Sequence, residues 1–292
     1  MRARLLLTLL RLIARLPLPV VHALGAAIGW LLYLIPNNQR RVAEINLRMA
    51  FPELDETARR RLLRDTLIES GKTLTEIGVM WFRPLAKVKK LVREIHGVEH
   101  FRELEAHGKG VIALTPHLGQ WELMGLITPE YMPMTSLYRP MRMAELEGPI
   151  TAARERAGNR LQPTTVQGVK EVYAALRRGE LVGILPDQDP KDEGGAFVPF
   201  FGVDAYTMTF VCRLAIRSGV GVLVGYAERL PKGRGYRLIA HAVDPAINDG
   251  PLESSLAVMN QAVEACIREA PAQYQWIYKR WKRRPDGEPP IY

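Results

Sequence analysis

GVIALTPHLGQWELMG, residues 110–125, sets an apolar run against a Thr115-Pro116 stop, with His117 immediately beyond it and Glu122 five residues further on. The run is short and apolar, as a buried strand is. An ionisable base and a carboxylate just past the C-terminal end of a strand occupy the place where open α/β sheets bind and transform ligands. Imidazole exchanges protons near neutral pH, and a carboxylate on its second ring nitrogen fixes the tautomer and stabilises the cation. Five residues on one ideal helix would separate the two side chains by about 140°, so the spacing alone does not bring them together. A turn histidine beside an exposed helix glutamate is the plainer alternative. Pro116 argues that His117 lies at a strand-to-helix turn, where helical geometry has only begun.

Outward from this stretch the pattern alternates. Strand-like segments cover 90–95, 110–114, 134–138, 181–185, 221–228 and 236–243, and helix-like segments cover 100–107, 141–157, 169–178, 207–218 and 252–270. This alternation predicts an α/β domain with a mostly parallel central sheet flanked by helices. The last two strands, joined by Pro231 to Gly235, read as a hairpin at one end of that sheet. Residues 40–80 read as two helices broken at Phe51-Pro52, with Asp55 as the N-cap of the second and Arg59, Arg60, Arg61 and Arg64 behind it.

The N-terminus departs most from ordinary composition. Residues 1–16 are Leu-rich and carry Arg2, Arg4, Arg11 and Arg15, and 18–35 are almost wholly apolar. Eighteen residues of helix cover about 27 Å, barely a bilayer core. A membrane anchor or short span preceded by a basic amphipathic helix competes with a cleaved signal peptide and with a buried helix. Arg11 and Arg15 interrupt the first apolar run and no small-x-small cleavage site follows, so residues 1–36 are taken as a membrane anchor and 37–292 as the α/β domain.

The chain has 292 residues and a net charge of +9, which favours anionic partners. The tail YKRWKRRPDGEPPIY, 278–292, interleaves aromatic and basic residues, a pattern shared by single-strand nucleic-acid platforms and membrane-interface elements. With an apolar N-terminus in the same chain, the membrane is the better reading and no nucleic acid is expected. Cys212 and Cys266 fit no metal spacing. His96 to His100 spells H-x-x-E-H, but Gly97 after a β-like run places a turn where a zinc helix is needed. Asp187-Gln188-Asp189 is no calcium loop, since Asp192 and Val198 stand where glycine and glutamate are required. No metal or cofactor is therefore expected. His22, His107 and His241 read as surface or satisfied histidines.

His117 and Glu122 together match a His-x4-Asp/Glu motif. With "YRP" at 138–140, "GVKEVYAALRRGELVGILPDQDP" at 168–190, "FVPFFG" at 197–202, "INLRMAFPEL" at 45–54 and "PAQYQWIYKRWKRRPDGEP" at 271–289, the chain resembles the lipid A secondary acyltransferases. One local departure is Gln120, where many relatives carry Asn. The resemblance implies transfer of a fatty acyl group from acyl carrier protein to a hydroxyl of a lipid A precursor, an anionic lipid, at the cytoplasmic face of the inner membrane. It implies His117 as general base and Glu122 as the residue that orients and charge-stabilises it, with no covalent enzyme intermediate. The oxyanion needs donors, and Arg139, Arg154 and Arg156 are the candidates, Arg139 following a strand end as His117 does and Arg154 preferred over Arg156. Asp187 would help build the site or hold an arginine. Trp121 and Met124, with Leu123 and Leu126, are candidates for an acyl groove. The alternatives are the same chemistry on another lipid or glycolipid, and a non-catalytic lipid-binding protein of this fold.

Overall fold

The computed structural model describes residues 2–141, 143–190 and 194–292. Met1, Arg142 and Asp192, which fall within segments read above, lie outside them. Four helices come first: α1 (Arg2–Ile13), α2 (Leu18–Leu34), α3 (Asn38–Ala50) and α4 (Glu56–Phe82). Asp55 caps α4 as its sequence position predicts, its side chain accepting from Ala58 N at 2.7 Å. Helix α2 lies against α4 almost backbone to backbone. A Cβ on Gly71 would stand 2.1 Å from the Gly25 carbonyl oxygen, and one on Gly29 would stand 2.3 Å from the Ile68 Cα. Side chains on these glycines would force the two helices apart.

Among the described residues, no single helix is long and apolar enough to cross a membrane. Helices α2 and α3 reach the required length only as a pair bent by 82°. Helix α3 buries Val42, Ala43, Asn46 and Leu47, and Asn46 donates to the carbonyls of Trp276 and Tyr278, so it belongs to the body of the domain. Helices α1 and α2 press one side on the protein and leave Leu5, Leu9, Leu12, Leu24, Leu31 and Leu34 exposed.

The rest of the chain alternates: α5 (Leu85–Lys89), β1 (Val92–His96), α6 (Val98–Ala106), β2 (Val111–Leu114), α7 (Trp121–Ile127), β3 (Met134–Tyr138), α8 (Ala144–Glu155), β4 (Asn159–Pro163), α9 (Val166–Arg177), β5 (Leu181–Ile184), β6 (Gly195–Phe200), β7 (Val203–Met208), α10 (Phe210–Ser218), β8 (Gly221–Arg229), β9 (Tyr236–Ala242) and α11 (Leu252–Glu269). Seven strands form one sheet in the order β1-β9-β8-β2-β5-β3-β4. All neighbours are parallel except β8 and β9. The expected hairpin is thus present, but β1 lies outside it and takes the edge.

Strands β2 and β5 are buried on both faces, as the continuous apolar runs Val111–Leu114 and Leu181–Ile184 require. On one face Ile112, Leu114, Val182 and Val224 pack with α9, α10, α11 and with Trp276 and Trp281. The other face carries α6, α7, α8 and the N-terminal helices, with Leu123, Leu126, Val79 and Leu18 in one cluster. Three strands and two helices were not legible. β4 is a polar edge strand (NRLQP), α5 has five residues and α7 only two turns, and β6 and β7 form a separate hairpin across Phe201-Gly202. That hairpin takes the start of the helix expected from 207, which begins instead at Phe210.

Candidate active site

His117 follows β2 in the middle of the sheet, and the turn that holds it is fixed by backbone bonds. Its own N–H donates to Asp187 Oδ2 at 2.9 Å, Gly119 N to Gln273 O at 3.1 Å, and Gln120 N to Ala227 O at 2.8 Å. The His117 carbonyl accepts from Gln275 N at 3.1 Å. The turn is therefore sewn to β8 on one side and to the segment after α11 on the other. Gly119 has φ +60°, and a Cβ there would stand 2.0 Å from the Ala227 carbonyl oxygen, so only glycine serves at this close approach.

The imidazole is gripped from both ends. Nδ1 lies 2.9 Å from Asp187 Oδ1, and Asp187 sits just past the C-terminal end of β5, the strand next to β2. Burial opposes ionisation of Asp187, but the adjacent His117 ring and N–H hold its carboxyl below the usual range. An ionised carboxylate only accepts, so Nδ1 carries the proton and Nε2 is left with its lone pair. That Nε2 accepts from the Gln188 amide at 3.2 Å, and the same amide donates to Gln275 Oε1 at 3.0 Å.

Glu122 is turned to another partner. It is bound by both Nε and Nη2 of Arg154, the first at 2.9 Å, and by Trp81 Nε1 at 3.0 Å. Burial again opposes its ionisation, and the Arg154 charge more than offsets this, so the carboxyl stays below its usual range. The orienting bond expected from Glu122 is made by Asp187, because the turn at His117 points Nδ1 towards the neighbouring strand. The His117 ring adds the weakest of the influences that hold the Glu122 carboxyl down, after Arg154 and Trp81.

These groups border one cavity of about 550 Å³, lined by His117, Trp121, Glu122, Met124, Arg139, Arg154 and Gln188 among others. Trp121 stacks obliquely near the imidazole, with ring centroids 5.0 Å apart. A pocket of this size with apolar walls and a few convergent polar groups suits a small molecule or a lipid chain.

A family model described as bacterial lipid A biosynthesis acyltransferase matches residues 2–283. The chain belongs to that family. It is 32% identical to the lipid A biosynthesis lauroyltransferase of Escherichia coli strain K12 over 284 residues, which is 96% of this chain and 91% of that relative. It is 30% identical to the palmitoleoyltransferase of the same strain, over 95% of this chain and 90% of the relative. The myristoyltransferase of that strain is 27% identical, over 92% and 82% respectively.

In this member of the family the remaining candidates part company. Arg139 is exposed and lines the cavity at the end of β3. Arg154 lines it too, but two of its nitrogens are committed to Glu122. Arg156 serves elsewhere, donating to the carbonyls of Trp81 at 2.9 Å and Met80 at 2.6 Å, where it ties down the last turn of α4. Much of the tail is held inside the fold. Trp276, Trp281 and Arg280 are buried, and Arg280 donates to Tyr206 O and Thr207 Oγ1. Its basic residues lie over rings of the β6–β7 hairpin, Arg280 over Phe200 at 5.0 Å and Arg283 over Tyr206 at 4.7 Å. The H-x-x-E-H stretch is split by Gly97 between β1 and α6, and among the described residues no cluster of His, Cys, Asp or Glu is arranged to hold a metal.

Behind the site lies a buried charge cluster. Glu76 of α4 accepts from both Nε and Nη2 of Arg229 at 2.7 and 2.6 Å, from Tyr236 at 2.8 Å and from the Gln120 amide at 2.9 Å, and meets His22 of α2 at 2.5 Å. His22 is thus a satisfied core histidine. The cluster joins α2 and α4 to the end of the His117 turn.

Proposed function

We propose that this protein transfers a fatty acyl group from the thioester of acyl carrier protein to a hydroxyl of a lipid A precursor. The acceptor hydroxyl displaces Gln188 and gives its proton to His117 Nε2. Its oxygen attacks the thioester carbonyl, and the C–S bond of the tetrahedral intermediate then breaks. The leaving thiolate takes the proton back from the imidazolium. Asp187 holds the tautomer throughout and stabilises the imidazolium, the role of the buried carboxylate in catalytic triads. Glu122 adds a second negative charge near the ring, and Arg154 fixes its position.

The observation that carries this reading is the His117–Asp187 pair, whose second ring nitrogen meets only the Gln188 amide at the wall of the 550 Å³ cavity. The displaced Gln188 amide is within reach of an oxyanion formed beside Nε2, and such a donor counts for most in a water-poor site. Arg139, at the exposed mouth, meets an anionic group of either substrate. Trp121 and Met124 line the acyl channel. No resident metal or cofactor takes part in this scheme.

The exposed leucines of α1 and α2, with Arg4, Arg11 and Arg15, form an apolar face with basic neighbours. We place it in the headgroup region at the cytoplasmic side of the inner membrane, as a monotopic anchor formed by residues 1–36. The domain from 37 to 292 then presents its cavity to a lipid acceptor and to an acidic carrier protein. The test is mass spectrometry of lipid products after incubation with lauroyl and myristoyl carrier thioesters and a lipid A precursor. Product formation that disappears in His117→Ala supports the reading, whereas equal transfer by that variant rules out the base.

A further inference from the structure

The cavity opens at the C-terminal edge of the sheet, and one arm of it runs down the face that carries Met134, Ser136 and Gly183. Residues Met134, Ser136 and Tyr138 of β3 share a face, and the register sets Ser136 beside Gly183 of β5 and Met134 beside Asn159 of β4. Tyr138 stands at the C-terminal edge with His117. Met134 lies four residues deeper, about 13 Å along the strand. The middle row, Ser136 and Gly183, is made of small residues, and the Met134 side chain reaches into it from below. The deepest row is closed by two buried side chains, Met134 and Asn159. Helix α7 forms the roof, and Gly125 is its residue above Asn159.

Two details make this floor more than ordinary packing. First, a Cβ built on Gly183 would stand 2.3 Å from Met134 Cε, so the methionine lies across the space that the missing side chain leaves. Second, a Cβ built on Gly125 meets nothing within 4 Å except Asn159 Nδ2 at 3.3 Å, so the helix opens onto the cavity just where the amide blocks it. Asn159 Oδ1 is buried with no hydrogen-bond partner. A methylene chain cannot satisfy that oxygen, and extending past it would leave the amide buried against hydrocarbon.

We propose that Gly125, Met134 and Asn159 set the length of the acyl chain that the enzyme selects. Met134 and Asn159 end the channel, and the bare Cα of Gly125 gives it its last increment of depth. This rests on the acyl-transfer reading above and adds the residues that fix donor specificity. A methylene too many or too few in an apolar pocket changes selectivity by about tenfold or more.

The experiment is a competition among decanoyl, lauroyl, myristoyl and palmitoyl carrier thioesters, read by mass spectrometry of the lipid product. Gly125→Ala and Gly125→Leu shorten the channel, and both residues suit a helix better than glycine. Each is expected to shift selectivity towards shorter donors, by about tenfold for the leucine variant. Met134→Ala and Asn159→Ala deepen it and shift selectivity the other way. Thermal melting of each variant identifies any that does not fold, and the graded Gly125 pair decides the matter if the larger truncations melt early. A chain-length profile unchanged in folded variants overturns the proposal while leaving acyl transfer intact. Absence of transfer from every thioester by the wild type overturns the underlying reading and the proposal with it.

Discussion

Asp187 Oδ1 stands 2.9 Å from His117 Nδ1, although the two residues follow different strands, β5 and β2. Their meeting depends on the parallel pairing of those strands, which brings both C-terminal ends to one edge. Asp187→Asn is expected to lower kcat by about 10³- to 10⁴-fold, since an amide no longer enforces the Nδ1–H tautomer. The melting temperature should change little. Steady-state transfer assays on purified protein check this, and a loss under tenfold would remove Asp187 from the mechanism.

Gln188 is expected to act through its amide rather than its bulk. Gln188→Ala should cost on the order of 10²-fold in kcat, the scale of one lost oxyanion donor. Because the amide also occupies Nε2 before substrate arrives, KM for the acceptor should fall or hold while kcat drops. A rise in KM with kcat unchanged would instead assign Gln188 to binding.

Glu76 ties stability to acid. Burial raises its carboxyl pKa, but Arg229 and then His22 bring it down to about 2, from an ordinary value of 4.5. A depressed folded pKa stabilises the fold fully above the unfolded value and loses that contribution as pH falls towards 2. The contribution is about 3 kcal/mol. Urea unfolding in detergent at pH 6 and pH 3 should show the decline in the wild type. Glu76→Gln should flatten that decline and lower stability at neutral pH, because Arg229 is left buried and short of a partner.

The leucine face of α1 and α2 should govern membrane attachment. Each leucine leaving water contributes about 1.5–3 kcal/mol, so Leu9→Glu with Leu31→Glu should weaken vesicle binding by at least about 100-fold. Flotation with anionic vesicles measures this. Retention of the double variant on vesicles in high salt would assign attachment to another surface.

The sheet centre was legible because β2 and β5 are apolar on both faces, and so was the position of His117, which stands directly after one of them. The partner of that base was harder to read. Glu122 is near in sequence but faces Arg154, whereas Asp187 is distant in sequence and adjacent across the register. Gln188 carried no signal of its own, since its role arises from contact with His117 and Gln275. Arg156 resembled a site cation because a helix arginine near a cavity and one capping a neighbouring helix have the same sequence. The tail misled for a related reason: alternating rings and cations describe a wet interface and a buried cation–π stack equally well. β4 escaped because an edge strand needs no apolar pattern.

The sewing of the His117 turn has a consequence for when the enzyme becomes competent. Gln273 and Gln275, which bind Gly119 N and the His117 carbonyl, are translated more than 150 residues after His117 itself. Folding during synthesis starts from the N-terminal side, so α1 to α4 emerge long before the turn can close. A nascent chain that has not yet released Gln275 holds every named acid and base yet has no fixed imidazole. Competence therefore waits until the segment carrying Gln273 and Gln275 has left the ribosome, and a chain cut short before residue 273 would be an inert scaffold rather than a weak enzyme.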